Sequence, residues 1–220
     1  MGRTTETNSL EVRWFETGAP PEELDEWVTG YGPVDTSTRT DLYAAPLGPS
    51  FNLKLRGEGG ESVELKRRLG GPDRHTFAPD VTGRVEQWYK WSFSLDHTPG
   101  LWETDRTDLW LPVTKTRTLA AFDGADLQSF DEGLSADGVT AHVEVTAVEA
   151  CSETAWTCGL EVAGRPDEFE EAFVAVGSEL FGDGFPVGLS AAQSLGYAAW
   201  LERLATDREP APEVRIPSNR

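Results

Sequence analysis

Alternation of apolar and charged residues with a period of two dominates the chain. It runs through the segments LEVRWF (10–15), FNLKLRG (51–57), SVELKRR (62–68) and RVEQWYKWSFSL (84–95). A period of two is typical of a β-strand that has one apolar and one charged face. The glycine-rich stretch GEGGE (57–61) separates two of these segments and predicts a β-hairpin.

Further strands are predicted at 39–45, 109–121, 139–150 and 156–163. The last two form a long hairpin, and a turn centred on Thr154 and Ala155 makes Val148 face Glu161. In this register Cys151 and Cys158 are direct neighbours, either as two small reduced side chains or as a cross-strand disulfide.

Three helices are predicted from apolar spacing and terminal signals. The segment 20–32 begins with proline and acidic residues and ends in glycine. The segments 165–182 and 190–205 carry apolar residues three and four positions apart, as amphipathic helices do. We therefore expect a single domain over 1–206, followed by a flexible polar tail at 207–220.

The charge of the chain limits the classes of partner. Thirty-eight acidic residues against 19 basic ones give the 220 residues a net charge of −19. This charge repels nucleic acid polymers and anionic membranes. The N-terminus has no hydrophobic signal region, so we expect a cytoplasmic protein, either a monomer or a homodimer.

Two arrangements of the charged strand faces are open. In an open sheet the charged faces point to water, and their ion pairs contribute little. In a closed barrel they point inward, and the apolar faces are covered by helices. Because acidic and basic residues recur on five or more strands, the sequence favours the barrel: an α+β fold, mainly antiparallel β, closed or nearly closed into a tunnel.

A tunnel lined by both signs of charge suits a phosphorylated ligand. Arginine and lysine bind phosphate oxygens through charge-assisted hydrogen bonds, and carboxylates hold the Mg²⁺ or Mn²⁺ that bridges such oxygens. The cluster of basic residues at 52–68 is then one wall of the tunnel.

The order of motifs EVRWF, RTDLYAAP, FNLKLRGEGGESVELKRR, VTKTRT, HVEVTAV, GLEVAG and YAAWL resembles the CYTH superfamily of triphosphate tunnel metalloenzymes. That superfamily includes thiamine triphosphatases, inorganic triphosphatases and class IV adenylyl cyclases. The resemblance implies that a tunnel domain binds and hydrolyses a small triphosphate compound with Mg²⁺ or Mn²⁺.

The resemblance and the charged strand faces together assign the candidate site residues. Charge stabilisation during catalysis falls to Lys66 and Arg117. Substrate binding falls to Arg13, Arg39, Lys54, Arg56, Arg68, Lys90 and Lys115. Metal binding falls to Glu11, Glu64, Glu144 and Glu161.

The first strand departs from the family pattern. A Glu-x-Glu-x-Lys motif is expected, but Arg13 stands at the second glutamate and Phe15 at the lysine. The departure favours an alternative, a non-catalytic tunnel protein that sequesters or senses a phosphorylated small molecule. A lipocalin-like barrel with an apolar ligand is disfavoured, because such cavities are mostly apolar.

Overall fold

A computed structural model describes residues 4–44, 47–57, 62–95, 110–131, 134, 138–182 and 184–206. These ranges contain nine strands and four helices. The strands are β1 (Thr4–Thr17), β2 (Val34–Ala44), β3 (Phe51–Arg56), β4 (Ser62–Arg68), β5 (Asp73–Ala78), β6 (Val81–Ser94), β7 (Trp110–Asp123), β8 (Thr140–Ala150) and β9 (Glu153–Gly164). The helices are α1 (Glu22–Thr29), α2 (Gly124–Phe130), α3 (Phe169–Leu180) and α4 (Tyr197–Thr206).

Eight strands form a closed antiparallel barrel in the order β1-β9-β8-β7-β2-β3-β4-β6, and β6 pairs back with β1. The remaining strand, β5, forms a hairpin with β6 outside the ring. The pairing of β1 with β6 ends at Glu11 and Glu86. Beyond it, backbone hydrogen bonds between β1 and residues 193–195 continue the wall. The predicted closed α+β barrel is confirmed.

The predicted strands are all present, because period-two alternation and β-branched or aromatic residues favour a pleated wall with two different faces. Val12 and Trp14 of β1 are buried in the main core, while Glu11 and Arg13 point into the barrel. Strand β5 and helix α2 were not predicted from the sequence. Both are short, at 6 and 7 residues.

The register of the β8–β9 hairpin differs from the prediction. Glu161 faces His142 and not Val148. The turn lies at Cys151 and Ser152, both with positive φ (55° and 71°), as a tight two-residue hairpin requires. Cys151 therefore sits in the turn, away from Cys158, and both cysteines are free.

The main core lies between the outer face of the barrel and the helices α1, α2 and α3. It is built from apolar residues of β1, β7, β8 and β9 together with Leu24, Leu127, Phe169, Phe173 and Leu180. Here the outward apolar faces are covered by helices, as predicted.

The sequence led us to expect that helix α4 covers the outside of the barrel, but it does not. Its residues Trp200 and Leu201 pack with inward-pointing side chains such as Phe15, Tyr43 and Val148 in a second apolar cluster. The helix also begins at Tyr197 and not at residue 190. It thus closes one end of the barrel and leaves the charged part of the interior open.

The outer face of β3, β4 and β6 is also less covered than predicted. Phe51 and Phe93 are 41% and 40% exposed, and Leu65, which faces Trp91 across the strands, is half-buried. The expectation that all apolar strand faces lie under helices was wrong for this part of the wall.

The segment 207–220 predicted as a flexible tail lies outside the described residues, as do residues 58–61 of the predicted β3–β4 turn. None of the helices in the described part of the chain is long and apolar enough to cross a membrane.

Candidate functional site: a charged tunnel

The interior of the barrel contains a cavity of about 310 Å³. All eight strands of the barrel contribute to its lining. Strand β1 contributes two charged residues and β9 contributes one. The charged and polar side chains that line it are Glu11, Arg13, Arg39, Tyr43, Asn52, Lys54, Arg56, Glu64, Lys66, Glu86, Lys90, Lys115, Arg117, His142, Glu144, Thr146, Glu161 and Tyr197. The charged strand faces therefore point inward, and the open-sheet alternative is excluded for them.

Every residue predicted for the site lines this cavity except Arg68. Arg68 lies behind the lining: its Nη1 donates to Oε1 of Glu86 at 2.6 Å and its Nη2 donates to Oγ of Ser50 at 3.2 Å. It orients a lining carboxylate and does not itself face the cavity.

The charge of the cavity is opposite to that of the whole chain. Eight cationic and five carboxylate side chains line it, an excess of three positive charges in a protein of net charge −19. The chain contains only four lysines, and all four line the cavity: Lys54, Lys66, Lys90 and Lys115. A low-dielectric wall strengthens the field of such charges relative to water.

Arg13 lies at the centre of one side of the tunnel. It faces Gly159 on β9, which in turn faces Glu144 on β8. A Cβ at position 159 would lie 3.0 Å from Cζ of Arg13, so the glycine lets the guanidinium cross β9. Arg13 Nη1 then reaches Oε1 of Glu144 at 2.6 Å, and Nη1 of Arg117 lies 3.8 Å from the other oxygen.

This pairing controls the protonation of both groups. Burial alone lowers the pKa of Arg13, but the adjacent carboxylate of Glu144 holds the pKa above its ordinary value. Burial raises the pKa of Glu144, but Arg13 and Arg117 hold it below its ordinary value. The pair is therefore ionised at neutral pH.

Lys66 joins two carboxylates. Its Nζ lies 2.7 Å from Oε1 of Glu11 and 3.3 Å from Oε2 of Glu161, residues that face each other on β1 and β9. Burial opposes the charge of the amine, but the two carboxylates together raise the pKa of Lys66 well above its ordinary value. This lysine stays protonated.

Lys115 has the opposite surroundings, in the corner of the tunnel next to α4. Its Nζ lies 3.1 Å from Oδ2 of the fully buried Asp41 and donates to the hydroxyl of Tyr43. The same carboxylate also forms ion pairs with Arg39 at 3.1 Å and with Lys54 at 3.9 Å. Burial first, and then the nearby charge of Lys54, lower the pKa of Lys115 to about 7 despite Asp41.

Glu64 is the other carboxylate on this side. Its two oxygens lie 2.9 Å from Nζ of Lys54 and 2.9 Å from Nη1 of Arg56. Burial opposes ionisation, but Lys54 and Arg56 hold the pKa of Glu64 well below its ordinary value.

Three buried polar atoms of the lining make no hydrogen bond to the described residues: Oδ1 of Asn52, Nε of Arg117 and the hydroxyl of Tyr197. Buried polar groups almost always have a partner. These atoms surround the cavity with hydrogen-bonding capacity that the protein itself does not use, which is what a polar ligand requires.

The donor set does not fit the Mg²⁺ or Mn²⁺ ion implied by the resemblance. Glu11 and Glu161 already share the ammonium of Lys66, and Arg13 occupies the position beside Glu144. Within the described ranges, no group of three or more His, Cys, Asp or Glu side chains is placed to hold a metal. A hard divalent cation needs several oxygen ligands, and here fixed cations compete for them.

Several residues of the tunnel were missed by the site prediction. Asp41 and Tyr43 alternate with Arg39 and belong with it to the RTDLYAAP motif that carries the resemblance, so both signals point to them. Glu86 likewise alternates with the predicted Lys90. Tyr197 begins the YAAWL motif that carries the resemblance, but the motif does not show that its side chain enters the tunnel, because that depends on how α4 docks against the barrel.

Fold and site together define a closed antiparallel β-barrel with a cation-rich internal tunnel. Comparison with models of known protein families and with curated proteins finds no match.

Proposed function

We propose that the protein binds a phosphorylated small molecule, with a triphosphate-like group inside the tunnel, and that its own cations take the place of a divalent metal. The observation that carries the proposal is the concentration of eight cationic side chains, including all four lysines, around one cavity of an acidic protein. Cations with fixed positions are suited to phosphate oxygens.

The position of Arg13 supports metal-independent binding. A guanidinium lies where the family pattern places a metal-binding glutamate, and it is held there by Glu144 at 2.6 Å. Such a group supplies positive charge and hydrogen-bond donors without any metal. This is the non-catalytic alternative, in which the tunnel sequesters or senses its ligand.

Calorimetric titration with inorganic triphosphate in EDTA tests the proposal. We expect binding in EDTA, and Lys54→Met should weaken it by about 10- to 150-fold, the scale of one hydrogen bond to a charged group. The control Arg74→Gln removes an exposed positive charge on β5, outside the tunnel, and should leave the affinity within about twofold.

Two results would overturn the proposal: no binding of triphosphate in EDTA at millimolar concentration, or an equal loss of affinity in both variants. Binding that requires Mg²⁺ or Mn²⁺, together with release of orthophosphate, would instead favour the metal-dependent triphosphatase that the resemblance implies.

A further inference from the structure

Most cations of the tunnel belong either to a balanced group or to a group in excess. On the side of β1, β8 and β9, three cations have a carboxylate: Arg13 and Arg117 face Glu144, and Lys66 faces Glu11 and Glu161. In the corner between β2, β3 and β7, by contrast, Arg39, Lys54 and Lys115 surround one carboxylate, Asp41.

The corner has two more positive than negative charges when all its groups are ionised. Counting Glu64 and Arg56, which join the same cluster through Lys54, does not change this excess. Because the groups are largely buried, water screens the excess poorly. The cluster reduces its excess positive charge most easily when one of its lysines releases a proton, because arginine does not deprotonate in proteins.

Lys115 is the cluster member placed to release it. Its side chain is 7% exposed, and among the described residues it has a single carboxylate partner, which it shares with two other cations, whereas Lys54 also has Glu64. Lys115 Nζ lies 4.2 Å and 4.7 Å from the ring centres of Tyr197 and Tyr43. Burial keeps the pKa of both tyrosines above the ordinary value, so both hydroxyls stay neutral and supply no countercharge.

The charged and titratable groups that face Lys115 come from every element around it. They are Arg39, Asp41 and Tyr43 on β2, Lys54 on β3, Glu144 on β8 and Tyr197 on α4. Glu144 is already compensated by Arg13 and Arg117, so it does not offset the excess in the corner.

We propose that the terminal phosphate of the ligand binds in the corner formed by Arg39, Lys54 and Lys115, and that its entry is coupled to uptake of one proton by the amine of Lys115. The proposal rests on the proposed function, phosphate binding in the tunnel, and defines the ligand class more closely. A terminal phosphate carries two negative charges and so balances the excess of the corner. A phosphodiester carries one, which balances the corner once Lys115 has released its proton, so its binding does not require proton uptake.

The coupling has a defined sign. The ligand binds the protonated amine, so affinity falls as pH rises above the midpoint at which the free Lys115 titrates. One coupled proton corresponds to a tenfold loss of affinity per pH unit in that range. The Lys115→Arg variant keeps its charge at all these pH values and should lose the pH dependence.

The restriction of all four lysines to the tunnel makes a direct measurement available. In protein labelled with ¹³C at the lysine Cε, every lysine signal comes from the cavity, and Lys115→Arg identifies the signal of Lys115 by its disappearance. We expect this signal to titrate near pH 7 in the free protein and at least one unit higher with saturating sulfate, a dianion that does not itself titrate in this range. The signals of the other three lysines are internal controls.

The affinity of sulfate, measured by calorimetry between pH 7 and 9, provides the second readout. We expect a fall of about tenfold per pH unit above the midpoint for the native protein and a change of less than twofold for Lys115→Arg. Methyl phosphate should show the same pH dependence and bind more tightly than dimethyl phosphate.

The inference is overturned if the Lys115 signal stays that of a protonated amine up to pH 9, or if its midpoint does not move when sulfate or triphosphate binds. Binding without a shift of the midpoint leaves the proposed function intact and removes only this inference. Failure of every phosphate and sulfate probe to bind removes both.

Discussion

Replacing Arg13 by glutamate reverses the charge at the centre of the tunnel. In the native protein its Nη1 lies 2.6 Å from Glu144, across Gly159. In Arg13→Glu, a second carboxylate faces Glu144, and Arg117 at 3.8 Å is the one cationic partner that remains within the described ranges. Two carboxylates on neighbouring sides of the tunnel are then available to a divalent ion.

The loss of stability of Arg13→Glu in the absence of metal follows from the burial of the Arg13–Glu144 pair. Removing one partner of a buried ion pair destabilises a protein by about 3–5 kcal/mol. The two side chains are 13% and 15% exposed and Arg117 remains nearby, so we expect the lower end, about 3 kcal/mol. Mn²⁺ that binds the folded state should restore about 2.7 kcal/mol at a concentration of 100 times its Kd.

Urea unfolding followed by tryptophan fluorescence measures both effects, in EDTA and in Mn²⁺. Arg13→Met is the matched control, because it removes the same cation without adding a carboxylate ligand. We expect Mn²⁺ to raise the free energy of unfolding of Arg13→Glu but not of Arg13→Met. The same Arg13→Glu variant should lose about 1.5–3 kcal/mol of metal-free triphosphate affinity.

The reasoning is refuted if Arg13→Glu loses less than about 1 kcal/mol in EDTA, well below the range for a buried pair. It is also refuted if Mn²⁺ stabilises the glutamate and methionine variants equally. The first result would mean that the Arg13–Glu144 pair does not stabilise the fold as a buried pair does, and the second that Arg13 does not occupy a position at which a metal would otherwise bind.

Three further predictions concern stability. Gly83→Ala should lower the free energy of unfolding by about 1–3 kcal/mol in urea melts, because its Cβ would lie 2.4 Å from Val12 and 2.6 Å from Trp14. The control Gly70→Ala, where the Cβ meets open space, should lower it far less. Lys66→Met leaves two facing carboxylates, and its loss of unfolding free energy should be larger at pH 7 than at pH 4. Burial raises the pKa of four tunnel carboxylates, but their cationic partners outweigh burial and hold each pKa below its ordinary value. The stability that these ion pairs give the fold is therefore complete above the ordinary pKa of about 4 and is lost as the pH falls below it. In high salt the urea midpoint should therefore be nearly constant from pH 7 to about pH 5 and should fall as the pH drops from about 4 toward 2, where the pKa of Glu161 lies. A midpoint that stays constant below pH 4 would contradict this.

The faces of the strands could be predicted even where their pairing could not. The β8–β9 register was wrong, since Glu161 faces His142 and not Val148. The error is six residues, an even number, and side chains alternate with a period of two. Glu144 and Glu161 therefore still point into the tunnel, as predicted, and so does His142.

The docking of α4 could not be predicted in the same way. An apolar stripe on a helix shows that one face is buried, but it does not show against what. Trp200 and Leu201 pack against inward-pointing residues at the end of the barrel, and this brings Tyr197 into the cavity. Only the closed barrel creates that apolar end.

The sequence by itself determined which residues are charged, that they alternate with apolar ones, and hence that one strand face is available to line a cavity. It could not predict how strongly each lysine holds its proton. Lys66 and Lys115 were both assigned to the ligand site, yet the fold places Lys66 between two carboxylates and Lys115 among cations that share one. Their opposite affinities for a proton depend on neighbours that lie far apart in the chain, because the electrostatic energy of a buried group is set by distances that only the tertiary structure defines.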